Sequence, residues 1–215
     1  MKAVSAKARA AERAPRMGRP TEEESRLKKH QLLTVAQELF VELGYRAVSM
    51  RMVAERGQVS TRTLYNYYAD KETLFAACLD FGAAEFPRLQ IQAGVDLRGA
   101  LERFAAELVR VLSRDGSFRL GVLIYREGGD FPELLRASEN NYERFLLQPL
   151  AACLREIGLP TQRVAEYARL FINMALAEWQ LRLVYRRAPL KEVEIERHAR
   201  LAVGVFLDGV MRSRT

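Results

Sequence analysis

Six of the seven residues from Thr61 to Tyr67 carry hydrogen-bonding side chains: Thr61, Arg62, Thr63, Tyr65, Asn66 and Tyr67. These residue types suit duplex DNA. A guanidinium can bind guanine at two points, and a carboxamide can do the same with adenine. Thr and Tyr hydroxyls suit phosphate oxygens. A helix of two turns with so polar a face gains little from burial, so the face is expected to have a use outside the fold. For any one of these side chains taken singly, an ordinary wet surface is the alternative.

The elements that must position this helix can be read around it. In Ser49–Tyr68 (SMRMVAERGQVSTRTLYNYY), Ser49 is placed to cap a helix over about 50–56 and Ser60 to cap one over about 61–67. Ala54 is small where the two helices must cross closely. Val59 is apolar where the turn must plug the core, and Leu64 points back into it. This is the layout of a helix-turn-helix, whose second helix lies in the major groove. Ahead of it, Thr21 and Glu22–Glu24 open a helix over 22–43, in which Leu32, Leu33, Ala36, Leu39, Phe40 and Leu43 fall at helical spacing and which stops at Gly44. Behind it, Asp70 caps a fourth helix from Lys71, with Leu74, Phe75, Cys78 and Leu79 on one side.

The stretch from His30 to Asp80 resembles the DNA-binding domain of the TetR family. The resemblance lies in HQLLTVAQELFVELGYRAVSM and VAERGQVSTRTLYNYYADKETLF, with Leu39-Phe40 before Gly44-Tyr45, the Thr63-Leu64-Tyr65 triplet, and Asp70-Lys71 ahead of Leu74-Phe75. It implies that Arg51 reaches a base edge or phosphate. Thr61, Arg62 and Thr63 would open the groove-facing helix, and Tyr65 would hold a phosphate. Asn66 and Tyr67 would set sequence preference, and Lys71 would meet a phosphate at a helix N-terminus. Two positions depart from the family pattern. Gly57-Gln58 stands where Ala-Gly is usual, so a left-handed Gln58 would cost about 1 kcal/mol. Tyr68 stands where phenylalanine is usual, and its hydroxyl is expected near solvent.

Residues 1–21 read as a flexible basic arm. Lys2, Lys7, Arg9, Arg13, Arg16 and Arg19 face a single acid, Glu12. Within it, Arg16-Met17-Gly18-Arg19-Pro20 resembles a minor-groove hook in which methionine replaces the first arginine. Arg19 would enter a narrow minor groove, or the arm would serve simple phosphate attraction.

The fold class expected is all-α. A three-helix helix-turn-helix domain over 22–86 (motif 49–68) would be followed, across a boundary between Pro87 and Gly94, by a helical ligand-binding and dimerisation domain over 87–215. Helices are expected over about 97–112, 117–127, 132–157 with a kink at Pro149, 161–187 and 190–213. In the last, Ala199, Val203, Phe206, Leu207 and Val210 form one stripe, while Leu201 and Val205 face elsewhere beside Gly204. A helix apolar on two sides needs two partners. The second is expected to be another subunit, giving a homodimer through the last two helices, as the TetR resemblance also implies.

Aromatics recur through this second domain, and helical spacing makes most aromatics plain core. Tyr125, Tyr142, Tyr167 and Trp179 also carry polar atoms that need partners. With Phe104, Phe131 and Phe171 they suit a pocket for a mostly apolar small-molecule effector, which the resemblance implies as well. Phe131-Pro132-Glu133-Leu134 after Arg126-Glu127 further resembles the C-terminal domain of an AefR-like branch of the family.

Other functions find little support in the residues. There is no nucleophile elbow, phosphate-cradling glycine loop or Glu-x-x-His pair, so neither an enzyme nor a cofactor is expected. Cys78, Cys153, His30 and His198 are too scattered for a metal site. No apolar run approaches the roughly 20 residues of a membrane span, and the first residues lack a secretory core, so a cytoplasmic protein without a membrane partner is expected. The net charge is +7. Residues 21–80 nevertheless hold eight basic residues against nine acidic ones, which disfavours an architectural protein that coats DNA without sequence choice. The expected function is a sequence-specific transcriptional repressor released by a ligand. The alternatives within regulation are a ligand-dependent activator or a repressor that needs a bound co-ligand.

Overall fold

The computed structural model describes residues 21–89, 96–156 and 162–212. Residues 1–20 of the expected arm, Arg19 with them, the centre of the expected domain boundary and the Val210 side chain lie outside the described residues. Helices account for the architecture, and no strand occurs among the described residues.

Helix α1 (Glu22–Leu43) opens on a reciprocal cap. Thr21 Oγ1 accepts from the Glu24 N–H at 3.2 Å, and the Glu24 carboxylate accepts from the Thr21 N–H at 2.8 Å. It closes at Gly44, where φ of 85° requires glycine and the N–H reaches Phe40 O. Helices α2 (Met50–Arg56), α3 (Thr61–Tyr67) and α4 (Lys71–Ala83) follow, each begun by the expected side-chain cap, Ser49, Ser60 and Asp70. Phe40, Tyr45 and Phe75 form the aromatic centre of this half, with ring centroids 5.3–5.6 Å apart.

The second half comprises α5 (Leu97–Leu112), α6 (Asp115–Glu127), α7 (Pro132–Tyr142), α8 (Gln148–Glu156), α9 (Val164–Val184) and α10 (Glu192–Arg212). Helices α5, α9 and α10 bury Leu101, Phe104, Phe171, Ile172, Val203 and Phe206 against one another. The N-terminal core continues into this half, because Leu120 and Leu123 of α6 and Leu134 of α7 complete the same apolar cluster as Leu32, Leu64 and Leu74. Helices α6 and α7 therefore form the bed on which the first four helices rest.

Several details differ from expectation. Helix α6 starts at Asp115 rather than near 117, without a side-chain cap at Arg114. Helix α9 ends at Val184 rather than 187, because Arg186 turns left-handed with φ of 50°. The Arg187 N–H then reaches Arg182 O at 3.0 Å and closes the end. Between α7 and α8 the ladder widens into a π turn, Glu143–Leu147, directly before Pro149. Proline offers no N–H and crowds the carbonyl four residues back, and the wider turn accommodates both effects.

Candidate nucleic-acid interface and the cavity behind it

Helix α3 has one fully buried side chain beneath it. Leu64 is fully buried, while Thr61, Arg62, Tyr65 and Asn66 are exposed. Ser60 Oγ fixes the helix start, accepting from the Thr63 N–H at 3.0 Å and lying 2.8 Å from Thr63 Oγ1. Thr63 is thus half-buried and tied to the cap. Arg62 forms no ion pair among the described residues, so its guanidinium stands free at the exposed helix start.

The turn between α2 and α3 divides the work of its two central residues. Gly57 has an ordinary φ of −80°. A Cβ on Gly57 would lie 2.5 Å from Leu32 Cδ2 and 3.0 Å from Val53 O, so glycine is there for close approach to α1. The left-handed residue is Gln58, with φ of 53°. Lys28 Nζ donates to Gly57 O at 3.3 Å and places a cation at the end of α2.

Arg51, at the exposed start of α2, meets only Glu55, at 3.4 Å in a solvent-facing pair, which holds it weakly. Two expected site residues are placed differently. Tyr67 lies half-buried against α1, its hydroxyl 3.3 Å from Ser25 Oγ and its ring under Lys29 Nζ. Lys71 turns inward, donating to Tyr45 O at 2.9 Å over the Tyr45 ring. Burial holds its ammonium below the ordinary lysine value despite Glu133 and Glu127 nearby. Both residues fix the motif to its neighbours. Tyr68 is more enclosed than expected, only 7% exposed, and burial pushes its phenol up to about 12.

A clasp missed in the sequence joins this half to α6. The Glu127 carboxylate accepts from the Tyr45 N–H at 2.9 Å and the Arg46 N–H at 3.4 Å, and it pairs with Arg126. Burial raises this carboxyl, but the bonds from Arg126, Arg46 and Tyr45 outweigh it and hold it below the ordinary glutamate value. Arg46 also reaches Asp130 at 3.1 Å. Phe131 stacks edge-on against Tyr45, with ring centroids 5.2 Å apart. The turn that leads into the helix-turn-helix is therefore gripped by the α6–α7 corner.

Residues 32–78 match the family model for bacterial regulatory proteins of the tetR family. That segment, which includes α2, α3 and most of α4, is therefore similar to the DNA-binding part of TetR-family regulators. Solved structures agree over nearly the whole chain. The flavonoid-responsive regulator FrrA is 27% identical, with a TM-score of 0.66 over 85% of this chain and 96% of its own. A TetR transcriptional regulator from Agrobacterium tumefaciens is 25% identical, with a TM-score of 0.66 over 84% and 93%. One from Pseudomonas syringae, at 22% identity and a TM-score of 0.66 over 88% and 97%, shares the fold. No curated protein matches the chain. The family match stops at residue 78, before the Phe131-Pro132-Glu133-Leu134 motif. The matched segment and the likeness to these regulators mark the chain as a DNA-binding transcriptional regulator.

Behind the TetR-type domain lies a cavity of about 300 Å³, walled by α1, α4, α6, α7 and α9. Of the seven aromatics expected around a ligand, Tyr125 and Trp179 line it. The Trp179 indole N–H donates to Leu112 O at 3.1 Å. The other five sit elsewhere. Phe104 and Phe171 pack in the α5–α9–α10 core, and Phe131 packs on Tyr45. Tyr167 is buried in that core under Arg163. Tyr142 lies against the same core, and its hydroxyl is buried without a partner among the described residues. Aromatic residue type does not separate core from cavity wall. The signal that could have marked this cavity is a set of small or uncharged polar residues on apolar helix faces: Ser117 and Gly121 on α6, Ser138 on α7 and Gln180 on α9.

Proposed function

We propose that this chain acts as a homodimeric repressor that a small, mostly apolar ligand releases from operator DNA. The observation that carries the reading is α3, whose Thr61, Arg62, Tyr65 and Asn66 are exposed around a fully buried Leu64. Arg62 and Asn66 are the side chains able to read base edges. Thr61, Tyr65 and Arg51 then supply phosphate contacts that set register.

Reading a two-fold operator requires a second recognition helix about one DNA turn, roughly 34 Å, away. The last two helices supply the surface for a second copy. Leu170, Leu181 and Val184 on α9 and Leu201 and Val205 on α10 are all exposed. The opposite sides of these helices are buried, Phe171 and Ile172 on one and Val203 and Phe206 on the other. Exposed apolar side chains on the outer faces of two buried helices suit a protein contact, and a two-fold pairing uses the same surface on both subunits.

Release follows from population shift. The cavity has one wall in α4, which directly follows the motif, and another in α6, which ends in the Glu127 clasp. A ligand that fits better when these helices shift favours an arrangement with a different recognition-helix spacing, and it weakens DNA binding only by that preference. The response of FrrA to flavonoids fits a ring-shaped effector here. Selection of bound duplexes from a random pool tests the proposal. A two-fold symmetric enriched site is expected, and no enrichment at physiological salt overturns it.

A further inference from the structure

We infer that the cavity between α1, α4, α6, α7 and α9 takes an uncharged, two-ring effector bearing hydroxyl or carbonyl groups. The inference rests on the ligand-released reading above and gives that ligand its chemical class.

The lining excludes charge. It contains no Asp, Glu, Lys, Arg or His. A carboxylate or ammonium entering it would leave water for a site without a counter-charge, and isolated buried charge is strongly disfavoured.

The polar groups that remain are of one kind. Gln37 already donates to Cys78 O at 2.8 Å, Asn141 to Asp80 at 3.1 Å and Trp179 to Leu112 O at 3.1 Å. Ser117, Tyr125, Ser138 and Gln180 also line the cavity, and their side chains bond to no other described residue. Three hydroxyls and one carboxamide can both give and accept. They suit neutral oxygen groups at the edges of a ligand.

The space suits rings. An apolar cavity of about 150 Å³ holds one benzene, and this one measures about 300 Å³. Leu112, Leu120, Ile124, Leu183 and the Trp179 indole supply flat and aliphatic walls. Gly121 keeps them open. A Cβ there would lie 3.3 Å from Leu183 and 3.4 Å from Trp179. Gly82 and Ala83 bring α4 into the same lining, so the occupant touches the DNA-binding half directly.

Trp179 is the only tryptophan in the chain, so its fluorescence reports this cavity. The full chain is titrated near pH 7 with 4-phenylphenol and with biphenyl-4-carboxylate, which share a two-ring frame and differ in charge. The phenol is expected to quench Trp179 saturably, with the carboxylate at least about tenfold weaker. Ser117→Ala with Ser138→Ala is expected to weaken the phenol about threefold or more and to leave unsubstituted biphenyl unchanged. Gly121→Leu is expected to abolish the quenching. Absence of quenching by the phenol, or a carboxylate that binds as well, overturns the inference. The same preparation is run through the operator selection. A chain that finds a two-fold operator yet ignores 4-phenylphenol loses only the effector class, whereas one that enriches no operator loses the regulator reading beneath it.

Discussion

The backbone N–H of Tyr45 lies 2.9 Å from the carboxylate of Glu127, a residue 82 positions along the chain. That bond joins the turn ahead of the helix-turn-helix to the end of a cavity-lining helix. Tyr45 is 2% exposed and central to the aromatic core of its half. Movement of α6 therefore acts on the packed body of the DNA-binding domain.

Replacing Glu127 by Gln should cost about 1–2 kcal/mol, because backbone donors lose a charged acceptor. The pH dependence has a definite sign. The folded carboxyl titrates below its ordinary value, so its contribution is complete above about pH 4.3 and is lost as pH falls through the lower folded value. Urea midpoints measured from neutral pH downward should fall less steeply for Glu127→Gln than for the parent. Parallel curves would remove the clasp from the account.

The α2–α3 turn predicts opposite effects at adjacent positions. Gln58→Gly relieves a left-handed φ of 53° and should raise stability by about 1 kcal/mol. Gly57→Ala drives a Cβ to within 2.5 Å of the buried Leu32 and should lower it by about 1–3 kcal/mol. Denaturant midpoints check both signs.

On the outer face, Leu201 is 63% exposed and Val205 56%. A Leu201→Glu, Val205→Glu double variant should fold with parent helix content yet sediment as a monomer and lose operator affinity. A variant that stayed dimeric would move the subunit contact away from α10.

How much of this could be read from the sequence depended on how local the signal was. Thr21, Ser49, Ser60 and Asp70 announce four helix starts because capping uses the residue's own side chain. The two faces of α10 were readable for the same reason, since helical spacing separates Val203 and Phe206 from Leu201 and Val205. The end of α9 was hidden because Arg186 adopts a conformation that sequence reading assigns to glycine. At the site, the exposed positions of α3 followed from Leu64 alone, but Tyr67 and Lys71 answer to Ser25 and Tyr45 on other elements. Glu127 gave no local sign of its partners, and the aromatics carried no mark of which ones border empty space.

The central claim is that α3 reads base edges through Arg62. The most direct measurement titrates the parent and Arg62→Ala against the selected operator and against a scrambled duplex at physiological salt, with helix content checked by circular dichroism. Loss of a two-point guanine contact is worth about 1–3 kcal/mol. The account predicts at least about a fivefold loss on the operator and almost none on the scrambled duplex. Equal losses on both, or none on either, would contradict it.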